Sequence, residues 1–438
     1  MKIIHVNAKT RAEVLDCLQK RSPNHDERTE QIVREILDTV KEKGDEALFA
    51  CTKRFDGWDI TAERCRVTQE EIDEAVQKTD PAFMRVLEKA CENITDYHEK
   101  QKRSGWFHTR PDGVLLGQRV TPLASAGVYV PGGKAAYPSS TLMNVVPAKV
   151  AGVNRIVMVT PAGKDGRVNA GTLAAAKTAG VSEIYKVGGA QAVAALAYGT
   201  HTIPKVDKIV GPGNIYVATA KKLVFGQVAI DSIAGPSEIL ILADERANPR
   251  YAAADLLSQA EHDERASAIL ITTSEAFARA VEREIDGFLS VLPRKEILER
   301  SLEDYGFLLV VSDEEEAVSL ADDIASEHVE IMTANPMETM AKLQNAGAIF
   351  LGDYSSEPLG DYFAGPNHVL PTNGTARFFS PLSVDDFIKK SSVIFYGKEA
   401  LRAVHTGIEL FAETECLSAH ANSIRVRFEE EDRKGREA

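Results

Sequence analysis

Four short segments of this chain set acids, amides and imidazoles at spacings that suit metal binding or proton transfer. Gln259 and His262 stand three positions apart in LLSQAEHDE. On an Ala- and Leu-rich helix that separation puts both side chains on one face, where amide and imidazole could bind one cation. Glu327 directly precedes His328 in ASEHVEI, near the expected end of a helix, a pairing that sets a general base beside a proton shuttle. Asp361 and His368 fall within DYSSEPLGDYFAGPNHVLPT, Asp353 to Thr372, where glycines and prolines argue for a rigid loop built around a site. Glu415 and His420 share ETECLSAHAN. Each of these side chains also suits an ordinary cap or a solvated polar group, and ligands scattered from Gln259 to His420 form no motif that spacing alone reveals. His5, His25, His98, His108, His201 and His405 have no such company.

The elements that must position these residues are legible as periodicity. From about Asp26 to Ser104 the pattern is helical, with Ile32, Ile36 and Val40 recurring on one face amid charges. After Gly113 short β-branched runs alternate with Ala-rich segments: RIVMV then AGTLAAAKTAG, EIYKVGG then AQAVAALAYG, DKIVG then NIYVATAKKLV. A second set follows, with EILILAD, AILITT and FLLVV separated by helical stretches, the last of them EEEAVSLADDIASEHVEI. Strand, turn and helix repeated in this way build parallel sheets with right-handed crossovers. The expected class is therefore α/β with two such units in succession. After about Pro381 the chain is mixed and polar, and EEEDRKGREA is expected as a solvated tail.

Ligands of open α/β sheets sit beyond the carboxyl ends of the strands, where glycine turns expose N–H groups at helix starts. Gly188-Gly189-Ala190-Gln191, Gly211-Pro212-Gly213-Asn214 and GVYVPGGKAAYPSS, with Tyr129 at its lip, are such turns. GPGNIY carries Tyr216 where the dinucleotide fingerprint wants a small residue, and no complete fingerprint occurs elsewhere. Asp231 has the spacing from Gly211 expected of a ribose-binding acid. On spacing alone these segments also read as ordinary βα turns.

Composition narrows the partners. A net charge of −14 argues against nucleic acid or an anionic membrane, both of which need a concentrated positive surface, and favours a small molecule. Five cysteines without a CxxC indicate neither a disulfide framework nor a Cys-rich zinc module. No amino-terminal signal segment and no apolar run of about eighteen residues is present, so a cytoplasmic protein is expected.

The segments GVYVPGG, GGAQAVAALAYGT, VDKIVGPGN, AGPSEILI, LLSQAEHD, SEHVEI, GDYFAGPNHVLPT and ETECLSAHANSIRVR occur in the order and spacing of the histidinol dehydrogenases, and the chain resembles that family over nearly its whole length. The resemblance implies oxidation of L-histidinol by two NAD⁺, through bound L-histidinaldehyde, to L-histidine, the last two steps of histidine biosynthesis, with one Zn²⁺ per subunit. By matching position it implies Gln259, His262, Asp361 and His420 as metal ligands, His328 as proton shuttle and Glu327 as the base that activates water. Ser237, Gln259, His262, His328, Asp361, His368, Glu415 and His420 would meet the substrate, and Tyr129, Gln191 and Asn214 would hold NAD. It further implies two incomplete Rossmann-like parallel-sheet domains, a helical N-terminal insertion, a small C-terminal domain, and a homodimer with shared active sites. The expected divisions are 25–106 helical; 130–236 for the cofactor; 1–24, 107–129 and 237–381 for the catalytic half; and 382–438 for dimerisation and tail.

Two rivals differ in chemistry. A relative on the same scaffold would oxidise another small alcohol, and the retained Glu415 and His368 argue against it. A metal-dependent hydrolase would set Glu327 and His328 on a metal-bound water and would have no need of the glycine turns. A non-catalytic binding module gives no reason for an acid and imidazole pair beside a metal cluster.

Overall fold

The computed structural model describes residues 1–21, 27–132 and 137–429; all but the first residue of the expected tail EEEDRKGREA and part of the glycine loop after Tyr129 lie outside them. The chain separates into two compact units, Met1–Lys102 with Leu123–Phe387, and Arg103–Pro122 with Ile388 onward.

The first unit holds two parallel sheets, as the alternation of strand and helix requires. One has five strands in the order Glu183–Tyr185, Arg155–Val159, Ser125–Tyr129, Lys208–Val210, Ala229–Ile230. RIVMV lacks the in-out polarity of a half-solvated strand because both faces are covered. Val157 and Val159 pack with Val33, Leu37 and Val40 of helix Glu27–Lys43 and with helix Gly189–Tyr198. Ile156 and Met158 face the other way, into Leu142, Leu173, Leu87 and Ile94.

The helical block thus supplies both flanks of this sheet. Its first helix buries the stripe Thr29, Val33, Leu37, Val40, so Ile32 and Ile36, expected on the buried face, lie at its margin.

The other sheet has six parallel strands: Lys2–His5, Gly306–Val310, Ser267–Thr272, Glu238–Ala243, His328–Met332, Ala348–Leu351. Leu240, Leu242, Ile269 and Ile271 pack on one face, and Ile239, Ile241 and Leu270 on the opposite one. In both sheets chain order reverses direction near the centre, between Ser125–Tyr129 and Lys208–Val210 in the first and between Glu238–Ala243 and His328–Met332 in the second. Such reversals open the crevices in which α/β proteins bind ligands.

The second unit contains an antiparallel sheet, Trp106–Thr109, Leu115–Pro122 and Ile388–Phe395, with helices Lys398–Arg402, His405–Thr414 and Ser418–Arg425. Residues 107–129, expected with the six-stranded sheet, are therefore divided. Leu115–Pro122 pairs with Ile388–Phe395 through eight register positions, Leu115 with Phe395 to Pro122 with Ile388, while Ser125–Tyr129 is the fully buried centre of the five-stranded sheet.

Candidate active site

Two glutamates open the reversal point of the six-stranded sheet. Glu238 and Glu327 precede the first aligned pair of the two central strands, Ile239 with His328. Glu327 Oε2 accepts the Glu238 N–H at 3.0 Å, and Glu238 Oε2 accepts the Glu327 N–H at 3.2 Å. Side chains thus extend the ladder by one rung, each bond to a carboxylate contributing about 1.5–3 kcal/mol. The next residue, His328, donates from Nδ1 to the Glu238 carbonyl at 2.9 Å, which fixes the tautomer and leaves Nε2 as a lone-pair donor.

The expected helix end at His328 needs correction. The helix is Glu314–Ile324, Ala325 stops it in a left-handed conformation with φ 51°, and His328 is the first residue of a buried strand. Gly347 makes the close neighbour strand possible, since a Cβ there would lie 2.4 Å from the Glu327 carbonyl oxygen.

Facing His328 is the short helix Glu357–Tyr362, set inside the segment expected as loop. Ser356-Glu357-Pro358 starts it, and the Glu357 N–H donates to Glu330 Oε1 at 2.7 Å. Glu357 Oε2 accepts from Ser258 at 3.2 Å, and its Oε1 stands 3.8 Å from His328 Nε2. One turn on, Asp361 meets His368, whose Nδ1 donates to the Asp361 carbonyl at 3.1 Å and lies 3.5 Å from Oδ1. Candidate ligand atoms of His328, Glu357 and Asp361 all fall within 4.8 Å of one another.

The groups titrate as a crowded, dry acid cluster should. Burial, then repulsion from Glu238, raises Glu327 well above the ordinary range. Burial and the neighbouring Asp361 carry Glu357 up to about 8. For Asp361 burial acts upward too, but His368 and then His328 outweigh it and leave the group at about 2. Burial lowers His328, keeping its imidazole neutral.

Gln259 ends the helix Pro249–Ala260, buried, and faces Glu357. His262, expected on the same helix face, lies beyond the helix in an exposed turn, its N–H donating to the Gln259 carbonyl at 3.1 Å. Ser237, half-buried, immediately precedes Glu238. The fold thus gathers Glu327, His328, Gln259, Asp361 and His368. Glu415 and His420 lie in the second unit, both exposed. Glu357, Glu238 and Glu330 complete the cluster and were not singled out from the sequence.

The buried Nε2 of His328, Oε1 of Glu357 and Nε2 of Gln259 have no hydrogen-bond partner among the described residues. Orphaned polar atoms at this depth cost about 1–3 kcal/mol each, and the carboxylates of Glu357 and Asp361 beside the Gln259 amide offer oxygen donors of the kind a divalent cation takes. The site lies at the amino ends of its two strands, opposite to the end at which α/β sheets usually bind.

The five-stranded sheet keeps the usual polarity. Tyr129 ends its central strand, and its buried hydroxyl accepts the Gly189 N–H at 3.0 Å. Gln191 is in the first turn of helix Gly189–Tyr198, buried, with Nε2 unpartnered among the described residues. Asn214 caps helix Ile215–Val224 through the N–H groups of Tyr216 at 3.1 Å and Val217 at 3.2 Å. All three stand at carboxyl ends, and Tyr129 and Asn214 flank the reversal point. Asp231 does not present a free carboxylate for a ribose: it accepts from the Gly211 N–H at 2.8 Å and the Ser232 N–H at 2.7 Å, and pairs with buried Lys221.

The family described as histidinol dehydrogenase matches residues 19–428. A histidinol dehydrogenase of Halalkalibacterium halodurans is 59% identical over 399 residues, 91% of this chain and 94% of the relative. That of Bacillus licheniformis is 58% identical over 93% of this chain and 95% of its own. A crystal structure of histidinol dehydrogenase from Elizabethkingia anophelis superposes with a TM-score of 0.92, 36% identity and 99% of each chain covered.

Proposed function

The chain belongs to the histidinol dehydrogenase family and is an oxidoreductase, and from that premise we propose that it carries L-histidinol through L-histidinaldehyde to L-histidine with two NAD⁺ and one Zn²⁺ per subunit. The observation that carries the reading is the pairing of a tautomer-fixed imidazole with a buried carboxylate, His328 with Glu327, beside the His328, Glu357, Asp361 cluster.

In the first half-reaction neutral His328 takes the alcohol proton at Nε2 as hydride leaves for NAD⁺. An aldehyde must be hydrated before it can lose a second hydride. Glu327, its carboxyl titrating high, removes a proton from the attacking water, and His328, its first proton passed to solvent, takes the hydroxyl proton of the hydrate. Zn²⁺ held by Gln259, His262, Asp361 and His420, with Glu357 beside them, would fix the substrate's orientation more than activate water. Ser237, His368 and Glu415 would complete the substrate pocket. Tyr129, Gln191 and Asn214 would seat NAD in the crevice of the five-stranded sheet.

The reading extends to a cytoplasmic homodimer in which Glu415 and His420 serve the partner's site. Exposed Ile394, Phe395, Leu410 and Phe411 in the second unit support an interface there, since exposed apolar patches mark association surfaces. No described helix is long and apolar enough to cross a membrane. The test follows NADH absorbance with purified protein, L-histidinol and NAD⁺ before and after chelation. Histidinol-dependent NADH, lost on chelation and restored by zinc, is expected. Turnover of other alcohols but not histidinol would overturn the proposal.

A further inference from the structure

Arg21 is fully buried, far in sequence from every residue assigned a role above, yet it touches the strand start beside the catalytic pair. Its Nη1 lies 3.4 Å from Glu238 Oε1. Its Nε donates to the Arg265 carbonyl at 2.9 Å, and Nη2 reaches the carbonyls of Pro236 at 3.3 Å and Ser237 at 3.4 Å. Glu238 in turn spends both carboxylate oxygens on backbone: Oε2 accepts the N–H of Glu327, and Oε1 accepts that of Asn373 at 3.1 Å. One side chain therefore joins the strand Glu238–Ala243, the start of strand His328–Met332 and the far end of the segment bearing Asp361 and His368.

Stability alone is a poor reason for such a pair. Desolvating two charges costs several kcal/mol per ion, and apolar replacements of similar volume are often as stable. Geometry is a better one. Only a carboxylate offers acceptors on both oxygens; glutamine would turn an NH₂ toward one of the two N–H groups. Burial raises the pKa of the Glu238 carboxyl, and the guanidinium of Arg21, 3.4 Å away, opposes that rise. The same residue's N–H holds Glu327 Oε2 and its carbonyl holds His328 Nδ1, so a shift of Glu238 would move both groups at once.

We propose that Arg21 and Glu238 are positioning residues for the Glu327 and His328 pair. The assignment rests on the catalytic reading above and concerns kcat, not binding. Displacement of catalytic groups by a fraction of an ångström to one ångström costs roughly tenfold to a hundredfold.

The test is a double-substitution cycle in the aldehyde half-reaction, with Glu238→Gln, Glu327→Gln and the pair, each checked for thermal midpoint and zinc content. Glu238→Gln should lower kcat roughly tenfold to a hundredfold with KM for NAD⁺ and histidinaldehyde within about twofold. The double variant should lose less than the product of the two single losses, because Glu238 acts in part through Glu327. Arg21→Lys should retain more kcat than Arg21→Met, and it keeps the test open where Arg21→Met fails to fold. A Glu238→Gln enzyme with unchanged kcat, or fully multiplicative losses in the double variant, would overturn the assignment while an active wild type leaves the functional reading standing. A wild type inactive on histidinol overturns both.

Discussion

His328 Nε2 stands 3.8 Å from Glu357 Oε1 while Nδ1 of the same ring is held 2.9 Å from the Glu238 carbonyl. One imidazole is thus aimed by its backbone bond at a carboxylate that spacing did not reveal. With Asp361 adjoining, Glu357 is expected to support the metal. Glu357→Gln should weaken zinc binding about tenfold to a hundredfold, with unchanged circular dichroism, because the large cores do not depend on the ion. Competition with a chromogenic chelator measures this, and an unaltered zinc affinity would remove Glu357 from the site.

The two bases should separate kinetically. Glu327→Gln is expected to impair oxidation of supplied histidinaldehyde while sparing the alcohol step, whereas His328→Asn should harm both, since a proton must leave in each. Acidity adds a second readout. Glu327 must be ionised to take a proton, and burial holds its pKa well above the ordinary 4.5. The aldehyde step should therefore lose rate on acidification at a higher pH than an ordinary glutamate would give. Equal losses in the two steps for Glu327→Gln, or an acid limb at the ordinary position, would contradict the assignment.

Lys221 and Asp231 grip opposite sides of one residue: Asp231 takes the Gly211 N–H at 2.8 Å, and Lys221 donates to the Gly211 carbonyl at 2.9 Å. Gly211 has φ +116°, and a Cβ would stand 2.1 Å from the Tyr129 carbonyl oxygen. This clamp shapes the turn that presents Asn214. Asp231→Asn should raise KM for NAD⁺ roughly tenfold, with KM for histidinol unchanged, and cost about 3–5 kcal/mol of stability by leaving a buried lysine unpaired. Initial rates with each substrate varied decide it; equal rises in both KM values would mean the clamp is not specific to the cofactor crevice.

Shared sites predict complementation. In a symmetric dimer taking His262 from one subunit and His420 from the other, inactive His262→Ala and His420→Ala chains refolded together yield mixed dimers with one intact site. Random pairing should restore roughly a quarter of wild-type activity. Background activity, with mixed dimers verified by native mass spectrometry, would mean that each subunit builds its own site.

The two parallel sheets were legible because their strands are short β-branched runs bounded by glycine, and the helices between them are alanine-rich. Boundaries near the site were less so. ASEHVEI continues a helical pattern with no glycine or proline to stop it, and a left-handed alanine does the stopping. AEHDE likewise runs on where the helix ends at Ala260. The buried acids hid for different reasons. Glu357 sits at a helix start, where an acid is ordinarily a solvated dipole partner. Glu238 and Glu330 did leave a trace, each a lone charge in a strand otherwise buried on both faces, EILILA and HVEIM. Arg21 left none. Nor does local pattern reveal that this site opens at the amino ends of its strands, since that depends on which strands become neighbours.

One site is proposed to perform both oxidations on a substrate it does not release. The most direct measurement counts NADH formed per L-histidinol consumed, with an aldehyde-trapping nucleophile in the solution. Two NADH per histidinol, histidine as the product and no trapped aldehyde are predicted. One NADH per histidinol with stoichiometric trapped histidinaldehyde would contradict it.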